Sequence, residues 1–312
     1  MSLQLHYREA GDPTAPPLIL LHGLFGSSAN WLGIARRLAA DFRLIIPDLR
    51  NHGRSAHAMP MDYPVMVEDL LALMDRLGIS AAHLCGHSMG GKVAMWLALQ
   101  HPERLERLVV ADIAPVSYSH RFDAIFDGLQ GVDLSPEATR QQIDQQLARW
   151  VDDAGVRGYL LQNLLRIDGE WQWRLNLSGL QAALPELLSF PEVGGQAFPG
   201  EALFLHGSCS DYVRESYRPI ILRHFPFARL RMIEGAGHWL YAEQPDKFTA
   251  LCCSFFLLMV TGDDSAYIRS RESAQGVESI VRRFFCIRAE SFLSQGMRIP
   301  KTIDEGWSVG WV

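Results

Sequence analysis

Short uninterrupted apolar runs alternate along the chain with longer amphipathic stretches. Leu18 to Leu21, Leu44 to Pro47, Ala82 to Cys85 and Leu108 to Asp112 read as strands buried on both faces, since hardly a polar side chain interrupts them. Leu3 to Arg8 reads as a further strand and Gly11 to Pro17 as a turn-rich loop. Trp31 to Ala40, Tyr63 to Leu77 and Lys92 to Gln100 carry apolar residues at helical spacing, and Gly78 stands where a helix ends on glycine. Strand and helix in alternation predict right-handed crossovers and a mostly parallel sheet covered by helices on both faces. In such a sheet ligands sit beyond the carboxyl ends of the strands.

From Val116 to Phe198 the strand pattern stops. Helical runs replace it at Arg121 to Leu129, at Pro136 to Val151 behind an apparent Ser135 N-cap, and at Val156 to Ile167. Residues 116–198 therefore read as an inserted helical lid. Its Trp150, Trp171, Trp173, Leu160, Leu161 and Phe190 supply apolar surface for a pocket or for packing within the insert. Alternation resumes with a strand at Ala202 to His206, a helix near Glu215 to His224, a strand at Arg229 to Ile233 and a helix at Gln244 to Leu258. The α/β core is expected over residues 1–115 and 199–258. Residues 259–312 stand apart as an extension without strand alternation: a polar segment from Thr261 to Ser273, one candidate helix near Val277 to Phe292, and an end punctuated by glycine, tryptophan and proline.

The candidate chemistry begins at Gly86-His87-Ser88-Met89-Gly90, set between a predicted strand and a predicted helix. A serine squeezed into that bend takes a strained backbone angle and presents its hydroxyl above the sheet edge, and glycines on either side leave room for it. The Met89 N–H opens the helix, whose positive end favours a developing oxyanion. Gly-rich His22-Gly23-Leu24-Phe25-Gly26 leaves the Leu18 to Leu21 strand where a second oxyanion donor is needed, which assigns that role to the Leu24 N–H. His238 follows a late strand in a glycine-bracketed loop, the setting for an imidazole that reaches over the serine. Asp48 to Ser55 is a polar loop read as shaping the sheet edge, with no catalytic role.

Two carboxylates compete to orient His238. Asp112 ends the strand next after that of Ser88, at the carboxyl edge of the sheet. Asp211 lies in the loop Gly207 to Val213, one place later than the position counted from Gly207, which is Ser210. Asp112 carries the greater weight, Asp211 stays open, and Ser210 joins the cluster as a hydrogen-bonding residue.

Composition narrows the remaining classes. The 312 residues are 48% hydrophobic, enough for a large core, and a net charge of -6 with both signs interspersed provides no basic stripe for nucleic acid and no polybasic patch for a membrane. The start of the chain shows neither a basic nor a long apolar leader, and Leu251 to Val260 is too short to span a bilayer, so a cytoplasmic setting is the expectation. Five cysteines without Cys-x-x-Cys spacing favour reduced thiols over a disulfide framework or a zinc site. No phosphate loop, dinucleotide fingerprint or His-Glu-x-x-His occurs, and no metal or organic cofactor is called for.

Leu21 to Ser27, Asp48 to Ser55, Gly86 to Gly91, Val110 to Pro115 and Gly235 to Trp239 together resemble the α/β-hydrolase superfamily, and within it the small YbfF-type esterases, over about residues 1–258. The resemblance implies a cytoplasmic esterase for short-acyl esters, with acyl-CoA thioesters as a further substrate class. It implies a working set of Ser88, Asp112, Ser210 and His238. The expected activity is carboxylic-ester hydrolysis through an acyl-enzyme, on a small-molecule ester and without nucleic acid or membrane partners. The alternatives are a serine-dependent C–C bond hydrolase or lyase on the same fold, and a non-catalytic receptor or scaffold.

Overall fold

A computed structural model describes residues 2–119 and 122–257; the predicted extension 259–312, its candidate helix Val277 to Phe292 included, lies outside the described residues. In chain order the first half contains β1 (Tyr7–Ala10), β2 (Pro17–Leu21), α1 (Leu32–Leu38), β3 (Arg43–Pro47), α2 (Tyr63–Arg76), β4 (Ala82–His87), α3 (Met89–Gln100) and β5 (Leu105–Ala111). An insert comes next, with α4 (Asp123–Gly131), α5 (Arg140–Leu147), α6 (Ala154–Leu161), β6 (Leu164–Ile167), β7 (Glu170–Trp173) and α7 (Leu177–Leu188). The chain then returns through β8 (Ala202–Gly207), α8 (Arg218–His224), β9 (Ala228–Ile233), α9 (Leu240–Glu243) and α10 (Pro245–Leu257).

The central sheet has seven strands in the order β1-β3-β2-β4-β5-β8-β9. All neighbours pair in parallel except β1, which runs antiparallel to β3 with Tyr7 opposite Pro47. Side chains of a strand alternate between faces, so β2 divides itself between two cores. Ile19 and Leu21 face the layer of α2 and α3, with Met66, Leu70, Val93 and Leu97. Leu18 and Leu20 face α1 and α10, with Ile34, Leu38, Phe248 and Phe256. Each of these side chains is nearly or wholly buried, a contribution of about 1.5–3 kcal/mol apiece for the larger aliphatics.

Three local expectations are corrected. The first strand begins at Tyr7 and not Leu3, because the Leu3 N–H is drawn off to the Asp69 carboxylate on α2. Thr139, and not Ser135, caps α5: its hydroxyl accepts from the Gln142 N–H while the Gln142 side chain accepts from the Thr139 N–H, and Ser135 instead closes a turn on Asp133. The insert is not wholly helical. Its α6 stops at Leu161, and β6 and β7 form an antiparallel hairpin turning at Asp168 and Gly169, both at positive φ (52° and 91°). The insert also contains α7, capped by the Asn176 side chain, in a stretch where no element is expected from the sequence pattern.

Candidate active site

The sheet brings β4 and β5 side by side with Gly86 opposite Val110 and His87 opposite Ala111, so Ser88 and Asp112, the next residue after each strand, emerge at one edge. Ser88 sits between β4 and α3 at φ 51° and ψ -118°, a conformation that costs about 1–3 kcal/mol in a residue with a Cβ. Its N–H donates to Ala111 O at 3.0 Å, which pins the bend to β5. The flanking glycines are packing requirements: a Cβ on Gly86 would stand 2.2 Å from Gly90 O, and one on Gly90 2.5 Å from His22 O. Ser88 lines a small, partly open cavity together with Leu24 and Met89. As the first residue of α3, Met89 has an N–H with no acceptor in its own helix.

Asp112 adjoins β5 directly at φ 53° and is fully buried. Its Oδ1 accepts from the Gly207 N–H at 3.1 Å, and its Oδ2 accepts from His238 Nδ1 at 2.7 Å and from the Ser210 hydroxyl. Since a carboxylate only accepts, His238 carries its proton on Nδ1 and leaves Nε2 as the basic nitrogen. The Tyr212 ring stacks on the imidazole at 3.8 Å, and Tyr212 also lines the cavity of Ser88. Below the imidazole, His87 Nε2–H donates to the His238 carbonyl at 2.8 Å. Asp211 is turned outward, 64% exposed, and pairs with Arg214 at 3.0 Å. The structure thus brings Asp112, Ser210 and His238 together and leaves Asp211 out of that cluster.

The loop after β2 is held from two sides. His22 Nδ1–H donates to Gly23 O while its Nε2 accepts from the Leu49 N–H, and His52 Nδ1–H donates to Arg50 O while its Nε2 accepts from the Phe25 N–H. Arg50 is fixed in turn by a bidentate, buried pair with Asp69. The polar run Asp48 to Ser55, expected to shape the sheet edge, is therefore a largely buried support for the loop that carries Leu24. From the insert, Tyr159 OH donates to Leu24 O at 3.1 Å and Asn163 Nδ2 to Phe25 O at 2.7 Å.

Because each supporting imidazole accepts at one nitrogen, protonation breaks a bond. Burial lowers His52 from 6.5 to about 3, with the neighbouring His22 adding to the effect; burial also lowers His22, and lowers His87 well below its ordinary value. The unfolded chain then takes up these protons first as pH falls, so stability is full above pH 6.5 and declines toward pH 3. His52 alone accounts for ~2 kcal/mol lost by pH 5. The urea midpoint is expected to fall steadily between pH 7.5 and pH 5; a flat profile would contradict neutral, bond-accepting imidazoles.

The insert supplies the far wall of the cavity through Phe122, Leu184, Leu187 and Leu188. Trp150, Trp171, Trp173, Leu160, Leu161 and Phe190 line neither this cavity nor the groove beside it. The indoles of Trp171 and Trp173 donate instead to Ala138 O and Leu129 O, both inside the insert. The groove, about 1450 Å³ and open to solvent, runs past His238 between α6 and α9 and is edged by Asp153, Glu243, Asn30 and Gln162. Sequence reasoning missed Tyr212 and Lys92, both in the cavity wall. A lone cation inside the apolar run Val93 to Leu99 and its preceding glycines was the available signal for Lys92.

Among the described residues, no helix is long and apolar enough to cross a membrane, and no group of three or more His, Cys, Asp or Glu could hold a metal ion. Residues 16–154 match the family model described as alpha/beta hydrolase fold. The chain is 41% identical over 231 residues to esterase YbfF of Escherichia coli (strain K12), covering 74% of this chain and 89% of that protein. It is 39% identical over 253 residues to the sn-1-specific diacylglycerol lipase ABHD11 of Mus musculus, covering 78% and 82%. A solved structure titled marine microorganism esterase superposes with a TM-score of 0.78 at 39% identity, covering 81% of this chain and all of that one. With the bend at Ser88, the parallel sheet beneath it and these relatives in agreement, the chain belongs to the α/β-hydrolase superfamily.

Proposed function

We propose that this carboxylic-ester hydrolase acts on small acyl esters through an acyl-enzyme on Ser88. The observation that carries the reading is a strained serine at the head of α3 opening on a cavity whose wall residue Tyr212 stacks on an imidazole held at Nδ1 by a buried carboxylate. In this reading His238 Nε2 takes the Ser88 proton as Oγ attacks the acyl carbon, and the N–H groups of Leu24 and Met89 receive the oxyanion. Asp112 holds the imidazole in its working tautomer and stabilises the imidazolium, and Ser210 keeps the carboxylate in place. The alcohol departs with the proton returned by His238, and water repeats the cycle on the acyl-enzyme.

The two compartments support a division of labour. The cavity beside Ser88 suits a short acyl arm, and the open groove past His238 suits the leaving group. Diacylglycerol is the substrate in the mouse relative's name, a neutral alcohol ester. Two carboxylates and no lysine or arginine edge the groove here, an environment that favours neutral alcohols over a polyanionic carrier such as coenzyme A. Oxygen esters are accordingly placed ahead of acyl-CoA thioesters.

A fluorophosphonate probe tests the nucleophile. One adduct per chain, on the peptide containing Ser88, should accompany complete loss of ester turnover. An enzyme that stays active while labelled, or that carries its adduct elsewhere, would refute the serine mechanism.

A further inference from the structure

Lys92 lies in the first turn of α3, its N–H donating to Ser88 O at 3.1 Å, and its side chain lines the same cavity as Ser88. It is 1% exposed. Taking an ammonium out of water is costly unless its surroundings answer the charge. Two of its three N–H bonds are answered by the Leu188 carbonyl at 2.9 Å and the Ser189 carbonyl at 2.6 Å, at the C-terminal end of α7. The ring faces of Tyr118 and Tyr63 stand 4.9 Å and 5.7 Å from Nζ, which attracts the cation without neutralising it.

Among the described residues that line this cavity none is a carboxylate, and Lys92 alone is cationic. Burial holds its ammonium down at about 7, and raises the phenols of Tyr63, Tyr118 and Tyr212, which are therefore neutral. The Tyr63 hydroxyl is already committed to Leu187 O. The wall that the acyl arm must touch is thus largely apolar around one unbalanced cationic donor.

We propose that Lys92 selects acyl groups carrying an acceptor oxygen, as an oxo or carboxylate group a few carbons from the scissile carbonyl, over plain hydrocarbon chains of equal length. The proposal rests on Ser88 being the nucleophile. Ser88 and Lys92 line one small cavity, so the acceptor belongs a few carbons along the acyl arm. There the third N–H of the ammonium gains a charge-assisted hydrogen bond. A hydrocarbon arm gains nothing from it and leaves that third N–H unanswered by the substrate.

The test compares ethyl pentanoate, ethyl 4-oxopentanoate and monoethyl succinate by kcat/KM, with active sites counted by fluorophosphonate titration. Wild type is expected to favour at least one oxygen-bearing ester over pentanoate by about tenfold or more. In Lys92→Met that ratio should collapse toward one, and Lys92→Leu serves if the methionine variant does not fold. A wild type that prefers pentanoate, or a variant that keeps the ratio, overturns the proposal. So does a proportional loss on all three esters, which would mean that Lys92 only fastens α7. Failure to label Ser88 would strike the serine mechanism instead, so the two readings fail separately.

Discussion

Asp112→Asn is expected to lower ester turnover by about four orders of magnitude, while Asp211→Asn leaves it within about twofold. The asymmetry comes from the donors around the carboxylate. The Gly207 N–H can only donate, so the oxygen of an asparagine must take the Oδ1 position. Its NH2 group then occupies the Oδ2 position and faces His238 Nδ1. The imidazole must accept there and carry its proton on Nε2, which leaves no base for the Ser88 hydroxyl. Ser210 can rotate its hydroxyl to accommodate the change, so the fold should persist and the loss should appear in kcat. Asp211, exposed and paired with Arg214, has nothing comparable to lose. Steady-state rates of the two variants decide the matter, and the reverse ranking would reinstate Asp211 as the orienting acid.

Ser88→Ala should be the more damaging change, about a million-fold in kcat, because every later step runs through the acyl-enzyme. Its effect on stability should be small. The Ser88 side chain makes no capping hydrogen bond to α3, and alanine bears the same positive φ penalty as serine. A melting temperature within a few degrees of wild type, beside turnover reduced to background, is the expected pair of results. Retained turnover in this variant would move the chemistry away from the bend altogether.

The strands of the sheet were legible because burial on both faces writes itself as an apolar run, and β2, β3, β4, β5 and β8 all announce themselves that way. Ser88 was legible because the bend demands glycines at fixed offsets. The acid was legible only as a preference for Asp112, since Asp112 and Asp211 differ in which way a backbone turns after a strand, and the positive φ at Asp112 leaves no mark in composition. The hairpin of the insert had a signal, Asp168-Gly169, but its four-residue strands are half exposed and mimic the end of a helix. Pro185 similarly disguised α7. The neutral roles of His22 and His52 depend on long-range partners, Leu49 and Phe25, that no local pattern specifies.

The bonds from Tyr159 and Asn163 to the carbonyls of Leu24 and Phe25 make α6 and the loop after β2 one mechanical piece. If α6 swings outward to admit or discharge a molecule, it must either part from those carbonyls or drag them along. In both cases the backbone at Leu24 is disturbed while α6 is displaced. The shape of that loop is thereby tied to the docking of the insert, so a change that loosens α6 is felt at Leu24 although it touches no residue of β2.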